Sequence, residues 1–525
     1  MKNRFLTLIK SIGIIIILIT IPVIGDSNSS QDIIIVDNEG DGDYTTIQGA
    51  IDHAESGDII HIYSGLYNET LTIDTTDLTI EGIAHELATG TDDDYPIING
   101  NQAGHVITIQ ASACRLSTCI IQNSGHGLLD AGILVQSSDA SLISNGIVGN
   151  HYGILVNNCT HATIQGNYLL SNTMDGIYLL YTQNNMITSN VIKENGFQGI
   201  FMWDAQDNSI TDNTLSLNGK DGIHLRGTCN DNDITTNTIH SNGIDGIKLV
   251  EPDVTDNLIH KNAIYSNAWN GIHIINSNTN TLSENIIHLN LLNGIHIGDA
   301  DNNKIVRNTI QDNKEEGIFI IWPGSTHNQI YYNNIINDNA FDFGKNAWDD
   351  GHGTGGNYWS YKLGVDENND GISETPYQIE GSGNIDQYPF IEPLYAPGTP
   401  SKPNGPTFGS QETSHTYTTI STDSYYNQIQ YGWDWDGDET IDEWTAFYQI
   451  DEPCYTSHNW YQNGTYLVKV KAMDNQGFQS DWSEPLSVTM PKTKTGFPYL
   501  YAYLYDIIST FFHRFIDIFT PLFSL

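Results

Sequence analysis

The sequence predicts an all-β protein: a right-handed, single-stranded parallel β-helix with an N-terminal helical cap, followed by a small β-sandwich. Three observations predict the β-helix. A Gly-Ile dipeptide begins at Gly132, Gly153, Gly176, Gly199, Gly222, Gly246, Gly271, Gly294 and Gly317, at intervals of 21 to 25 residues. An asparagine keeps step with it at Asn145, Asn167, Asn190, Asn213, Asn237, Asn262, Asn285, Asn308 and Asn333. Within each repeat the apolar residues alternate, as in Ile177/Leu179 and Ile247/Leu249, which is strand spacing. A fixed period of this length marks a solenoid. Sparse leucine and the absence of helical spacing select a β-helix over a leucine-rich repeat.

Stacked coils place each strand beside its copy at about 4.8 Å, so equivalent positions form columns. The Ile, Leu and Val columns make a continuous core. The asparagine column can stack its amides along the axis, and asparagine tolerates the left-handed backbone of a tight corner.

These repeats resemble those of NosD-like proteins, within the pectin-lyase-like class called carbohydrate-binding and sugar-hydrolysis domains. The stretch from Trp348 to Phe390, with "GGNYWS", "DENNDGISETPYQI" and "IDQYPF", is similar to the ending that closes many such helices in archaeal surface proteins. The resemblance covers roughly residues 32 to 395. It implies the fold and an extracellular setting; the NosD name alone implies a copper role.

Taken in order, residues 1–25 read as a signal peptide. Lys2 and Arg4 form the basic start, Ile12 to Ile24 the apolar run, and Val23-Ile24-Gly25 the cleavage site. The run is short for a membrane span; an uncleaved anchor is the alternative. Either way the protein is secreted or displayed at the cell surface. The net charge of −43, from 63 acidic residues against 20 Lys and Arg, excludes nucleic acid as a partner, because phosphate binding needs basic surface. Such acidity suits a soluble surface in salt, or cation binding.

The β-helix spans 26–395. Thr46 caps a short helix that carries Ile47, Ala50, Ile51 and Ala54 on one face, and a strand follows from Ile59 to Ile62. This helix covers the open end of the solenoid. Its phrase is similar to the start of pectin methylesterases, without their Gln, paired-Asp and Arg pattern further on. The five cysteines, Cys114, Cys119, Cys159, Cys229 and Cys454, are irregularly spaced and read as buried thiols, not a disulfide framework.

Asp366, Asn368 and Asp370 open a D-x-N-x-D-G phrase, with Tyr377 where an EF-hand places its last ligand. Residues 396–406, "APGTPSKPNGP", read as a linker. Residues 407–491 read as short strands, with Val468, Val470, Trp482 and Val488 as core, and resemble immunoglobulin-like sandwiches of the polycystic-kidney-disease-repeat kind. Their "WDWDGDETID" offers Asp434, Asp436, Asp438 and Asp442 as a second candidate loop. Ca2+ is the cofactor both loops suggest, against plain acidic turns. Residues 492–525 form an apolar tail broken by Asp506, Arg514 and Asp517, which suits contact with a membrane surface or packing on its own domain.

Outward columns, counted from each Gly-Ile, hold the candidate ligand-binding residues. They are Tyr178, Phe201, Trp203, His224, Arg226, Lys248, His273 and His296. Aromatic faces beside ionisable groups suit sugar rings, and cations in so acidic a chain suit an anionic polysaccharide or surface glycan. Arg226, Lys248, Asp204 and Glu251 are the residue types that a polysaccharide lyase or epimerase would use; a structural or adhesive surface role is the further alternative. His273 and His296 sit on adjacent coils, where surface imidazoles are a better reading than a copper site.

Overall fold

The computed structural model describes residues 31–491 except 86, 88–93, 362–363, 424–427 and 476. The expected signal peptide and the apolar tail lie outside the described residues. No described helix is long and apolar enough to cross a membrane. The chain divides into two compact units at Thr214/Leu215. Between them they carry about 14 turns of parallel β-solenoid.

Each coil contributes three short strands to three parallel sheets, and the Gly-Ile strands form one of them. In the first unit Ile154, Ile177 and Ile200 pair in register. In the second, Ile247, Ile272, Ile295 and Ile318 do the same. All of these isoleucines are fully buried, so the alternation seen in the sequence is the inward column. The glycine ahead of each isoleucine is required by close approach. A Cβ on Gly246 would lie 2.5 Å from the carbonyl oxygen of Gly271 and 2.5 Å from Ile264 Cγ2.

The expected asparagine column stacks coil on coil. Asn167 donates both its backbone N–H and its Nδ2 to Asn190 Oδ1, at 2.9 and 3.0 Å. Asn262 does the same to Asn285 at 3.0 Å. Two further ladders run at the other corners, one through Asn242, Asn267, Asn290 and Asn313 and one through Asn257, Asn280, Asn303 and Asn328. These amides are buried, and the ladders satisfy the corner groups that burial would otherwise leave unpaired. Each ladder ends on an aspartate. Asn357 donates its N–H to Asp386 at 2.8 Å, Asn313 donates Nδ2 to Asp338 at 2.9 Å, and Asn346 donates Nδ2 to Asp342 at 2.9 Å.

The left-handed residue of each corner is not the asparagine but its predecessor. Ser189, Glu284, Leu289, Thr279 and Tyr332 have φ between 55° and 61°. The ladder asparagine must turn inward to reach the next coil, so the preceding residue makes the turn, whatever its type.

At the N-terminus, Thr46 caps a helix over Ile47–Ile51 by accepting from Gly49 N, and Glu69 accepts from the N–H groups of Ile47 and Gln48. All five cysteines are buried free thiols.

The C-terminal strands are antiparallel. Gln428–Asp434 pairs with Gly464–Asp474, which pairs with Leu486–Met490, while His415–Thr419 pairs with Cys454–His458. Val468, Val470 and Val488 are buried here, but Trp482 is not core: it lies half-exposed beneath Lys471, whose Nζ is 4.4 Å from the ring centroid. The aromatic core is Trp433, Trp435, Trp460, Tyr417 and Tyr431. The 396–406 stretch hydrogen-bonds along this domain, with Asn404 and Thr418 exchanging both backbone bonds at 2.9 Å. The domain also meets the solenoid of its own unit. Phe478 is buried with Phe390 and Leu394, Arg307 lies 4.8 Å over the Phe478 ring, and Lys261 pairs with Asp481 at 3.2 Å.

Candidate functional site

In the first unit, Tyr178 and Phe201 are register partners with stacked rings, centroids 5.0 Å apart. Trp203 meets Phe201 edge-on at 6.0 Å. Tyr178 is buried against Leu155 and Tyr152, and this burial raises its phenol above the ordinary range. Asp204 makes the corner after Trp203, at φ 50°.

In the second unit the expected column is equally regular. His224 pairs with Lys248, Lys248 with His273, His273 with His296, and His296 with Phe319. Parallel register places each side chain directly over its neighbour.

Beside this column runs a row of acids and amides that the sequence reading passed over. It consists of the residue immediately before each Gly-Ile glycine: Asp221, Asp245, Asn270, Asn293 and Glu316. Two of these fold back onto the outward residue three positions on, Asp221 onto His224 and Asp245 onto Lys248. Asp221 Oδ2 lies 3.1 Å from His224 Nδ1. Asp245 is fully buried; its Oδ2 lies 2.9 Å from His273 Nδ1 and 3.7 Å from Lys248 Nζ, and its Oδ1 accepts from Asn270 N and Nδ2. Burial pushes the Asp245 carboxyl up, but the His273 hydrogen bond and charge and the Asn270 donors outweigh it and hold the group below its ordinary value. Asp245 is therefore ionised, and His273 must donate its Nδ1–H to it.

His296 stacks on His273 with ring centroids 4.5 Å apart, 9° from parallel. Burial, then the neighbouring His273, lowers His296 to about 4. Its Nε2 is buried without a partner. Glu316, half-buried and near Glu380 and Glu315, is raised.

Arg226 stands at the opposite edge of the same sheet, where its Nε donates to Glu251 Oε1 at 2.7 Å. Glu251 also accepts from Gly227 N, and Arg226 holds its carboxyl below the ordinary value. Of the residue types expected for lyase chemistry, Lys248 meets a buried carboxylate, while Glu251 positions Arg226.

A second unread column lies two residues before each Gly-Ile: Ile244, Trp269 and Leu292, joined by backbone bonds of 2.8 Å. Trp269 is half-exposed and adds an aromatic wall next to Asn270. The signal for both columns was in the sequence, on the N-terminal side of the glycine.

Of the metal candidates, Asp434, Asp436 and Asp442 bring one oxygen each within 4.8 Å of one another. Asp438 turns instead to Thr440, accepting from its N–H and hydroxyl. In the other loop, Asp366 accepts from Asp370 N and Gly371 N, and Asn368 donates to Asp370 Oδ2. Among the described residues the one cluster of three or more His, Cys, Asp or Glu donors is that all-aspartate set. His273 and His296 turn ring faces, not nitrogen lone pairs, towards each other.

Curated protein sequences offer no match. Among solved structures, the PKD domain of an M14-like peptidase from Thermoplasmatales archaeon SCGC AB-540-F20 is 40% identical over 18% of this chain and 96% of its own, with TM-score 0.17. The mannuronan C-5 epimerase AlgE6 A-module of Azotobacter vinelandii is 18% identical over 57% of this chain and 83% of its own, with TM-score 0.40. The periplasmic alginate epimerase AlgG is 15% identical over 56% and 75%, with TM-score 0.38. The family described as Periplasmic copper-binding protein (NosD) matches residues 88–268 and 228–364, together more than half of the chain. By that match the chain belongs to the NosD family.

Proposed function

We propose that this is an extracytoplasmic protein that binds an extended anionic polysaccharide along the outward face of the Gly-Ile sheet in its second unit. The observation that carries the reading is the row His224, Lys248, His273 and His296, stacked in register between Arg226 at one edge and Trp269 at the other. Four positions at about 4.8 Å spacing make a track of roughly 15 Å, the length of a few sugar units. Lysine and arginine supply charge for uronate carboxylates, and a half-exposed indole supplies a flat apolar face for a ring. The periplasmic setting named for its family supports an extracytoplasmic location. Phe201 and the adjoining Trp203, both half-buried, offer aromatic surface of the same kind in the first unit.

Calorimetry with uronate polymers and neutral glucans tests this. The uronate polymers should bind, more weakly as salt rises, and Arg226→Ala and Trp269→Ala should each weaken binding without lowering Tm. Equal binding of neutral glucans, or no effect of either substitution, would sink the reading.

A second, independent reading is a calcium ion in the C-terminal sandwich, supported by the convergence of Asp434, Asp436 and Asp442.

A further inference from the structure

We infer that the Asp245, His273 and Lys248 cluster is a proton-transfer centre that cleaves a uronate polymer by β-elimination. The inference rests on the binding reading above and adds chemistry to it.

The buried Asp245 carboxylate takes the Nδ1–H of His273, which fixes the tautomer and leaves the lone pair on Nε2. A carboxylate that orients an imidazole in this way also stabilises the imidazolium that forms when Nε2 accepts a proton. Lys248, the register neighbour of His273, brings an ammonium against the same carboxylate at 3.7 Å. Base and cation are thus held side by side on one rigid strand pair. Proton removal next to a carboxylate needs that combination: a base for the hydrogen, and a positive group for the charge that develops on the carboxylate oxygens.

The balance is complete without a cofactor. His273 Nε2 takes the hydrogen on C5 of the uronate. The C5–H electron pair is held as the enolate beside Lys248, then forms the C4=C5 double bond as the C4–O4 bond breaks. The departing O4 takes the proton back from His273. No water, oxidant or reductant is consumed; the products are a new chain end and an unsaturated uronate.

The placement also restricts the substrate. Every ionisable group in the row stands on one face of one sheet, so a sugar lying on it is addressed from one side. Inversion at C5 needs donors on both faces of the ring, whereas syn elimination needs one. H5 and O4 share a ring face in gluco- and manno-configured uronates and lie on opposite faces in galacto- and gulo-configured ones. The substrate class is therefore a gluco- or manno-configured uronan.

The test incubates the full chain with polymannuronate, polyglucuronate, polygalacturonate and polyguluronate. It follows the ultraviolet absorbance of unsaturated ends and product masses, and measures binding separately by calorimetry. The expected result is unsaturated product from one of the first two polymers and none from the last two. His273→Ala and His273→Gln should each lose at least about 100-fold in rate, a larger factor than either loses in affinity for the polymer. Lys248→Met should lower the rate more than it lowers affinity. If a polymer binds but yields no unsaturated ends, or yields only the C5 epimer, or if both His273 variants cleave like the wild type, the elimination is overturned and the binding reading stands. If no uronan binds, both fall together.

Discussion

His273 and His296 lie face to face, centroids 4.5 Å apart, yet only His273 has a carboxylate on its ring nitrogen. Two imidazoles one coil apart thus differ in their hydrogen-bond partners. His296, buried beside His273, is lowered to about 4.

A histidine lowered on folding favours the folded state above its unfolded pKa of about 6.5, and that stability fades as pH falls towards 4. His296→Phe, which continues the column into Phe319, should therefore be less destabilising at pH 5 than at pH 7.5, relative to wild type. Thermal melts at both values check this. A pH-independent difference would mean that His296 titrates normally.

The ladder ends predict the opposite sign. Burial raises Asp338 and Asp386 to about 7, only partly offset by the Asn313 donors at Asp338 and by Trp359, Asn357 and Tyr388 at Asp386. A carboxyl raised on folding binds protons that the unfolded chain releases, so stability falls as pH rises from about 4 to 7, by up to about 1.4 kcal/mol per pH unit and group. Asp338→Asn replaces the carboxylate with one more ladder amide. It should raise Tm at pH 8 and change it little at pH 5.

Gly246→Ala should cost about 1–3 kcal/mol, as overpacking does, because its Cβ would meet the Gly271 carbonyl and Ile264 at 2.5 Å. Urea melts would read the loss. An unchanged midpoint would mean that adjacent coils slide apart freely.

Millimolar calcium should raise the Tm of the full chain by mass action, and Asp436→Ala should abolish the increase. No shift in the wild type would leave Asp434, Asp436 and Asp442 as an acidic turn.

Replacing Leu289, exposed at φ 55°, with glycine should relieve part of the roughly 1–2 kcal/mol that a left-handed non-glycine residue costs. The gain appears as a higher urea midpoint.

The solenoid was legible because its period is written twice, in glycine and in asparagine. A period fixes columns but not how a corner folds. One ladder was read and two were not, because the count took a single asparagine per repeat, although Asn267 lies four residues before Gly271 and Asn280 five before Asn285, offsets that recur in neighbouring repeats. Asp245 was missed for a related reason: counting outward residues from the glycine towards the C-terminus skips the corner side chain that bends back over the strand. In the sandwich, Trp433 and Trp435 sit inside the acidic phrase, whose aspartates drew the chemical reading while the tryptophans built the core.

An amide can accept a hydrogen bond from the coil before it and hand one on to the coil after it; an ionised carboxylate can only accept. When ionised, Asp338, Asp342 and Asp386 are therefore the last rungs of their ladders in a chemical sense. A lineage of such proteins can lengthen by duplicating a whole coil upstream, where an asparagine meets an asparagine, but not by adding one beyond these residues. The same rule makes that end of the stack a poor seed for a neighbouring molecule, which guards a long run of parallel strands against growing into a fibre.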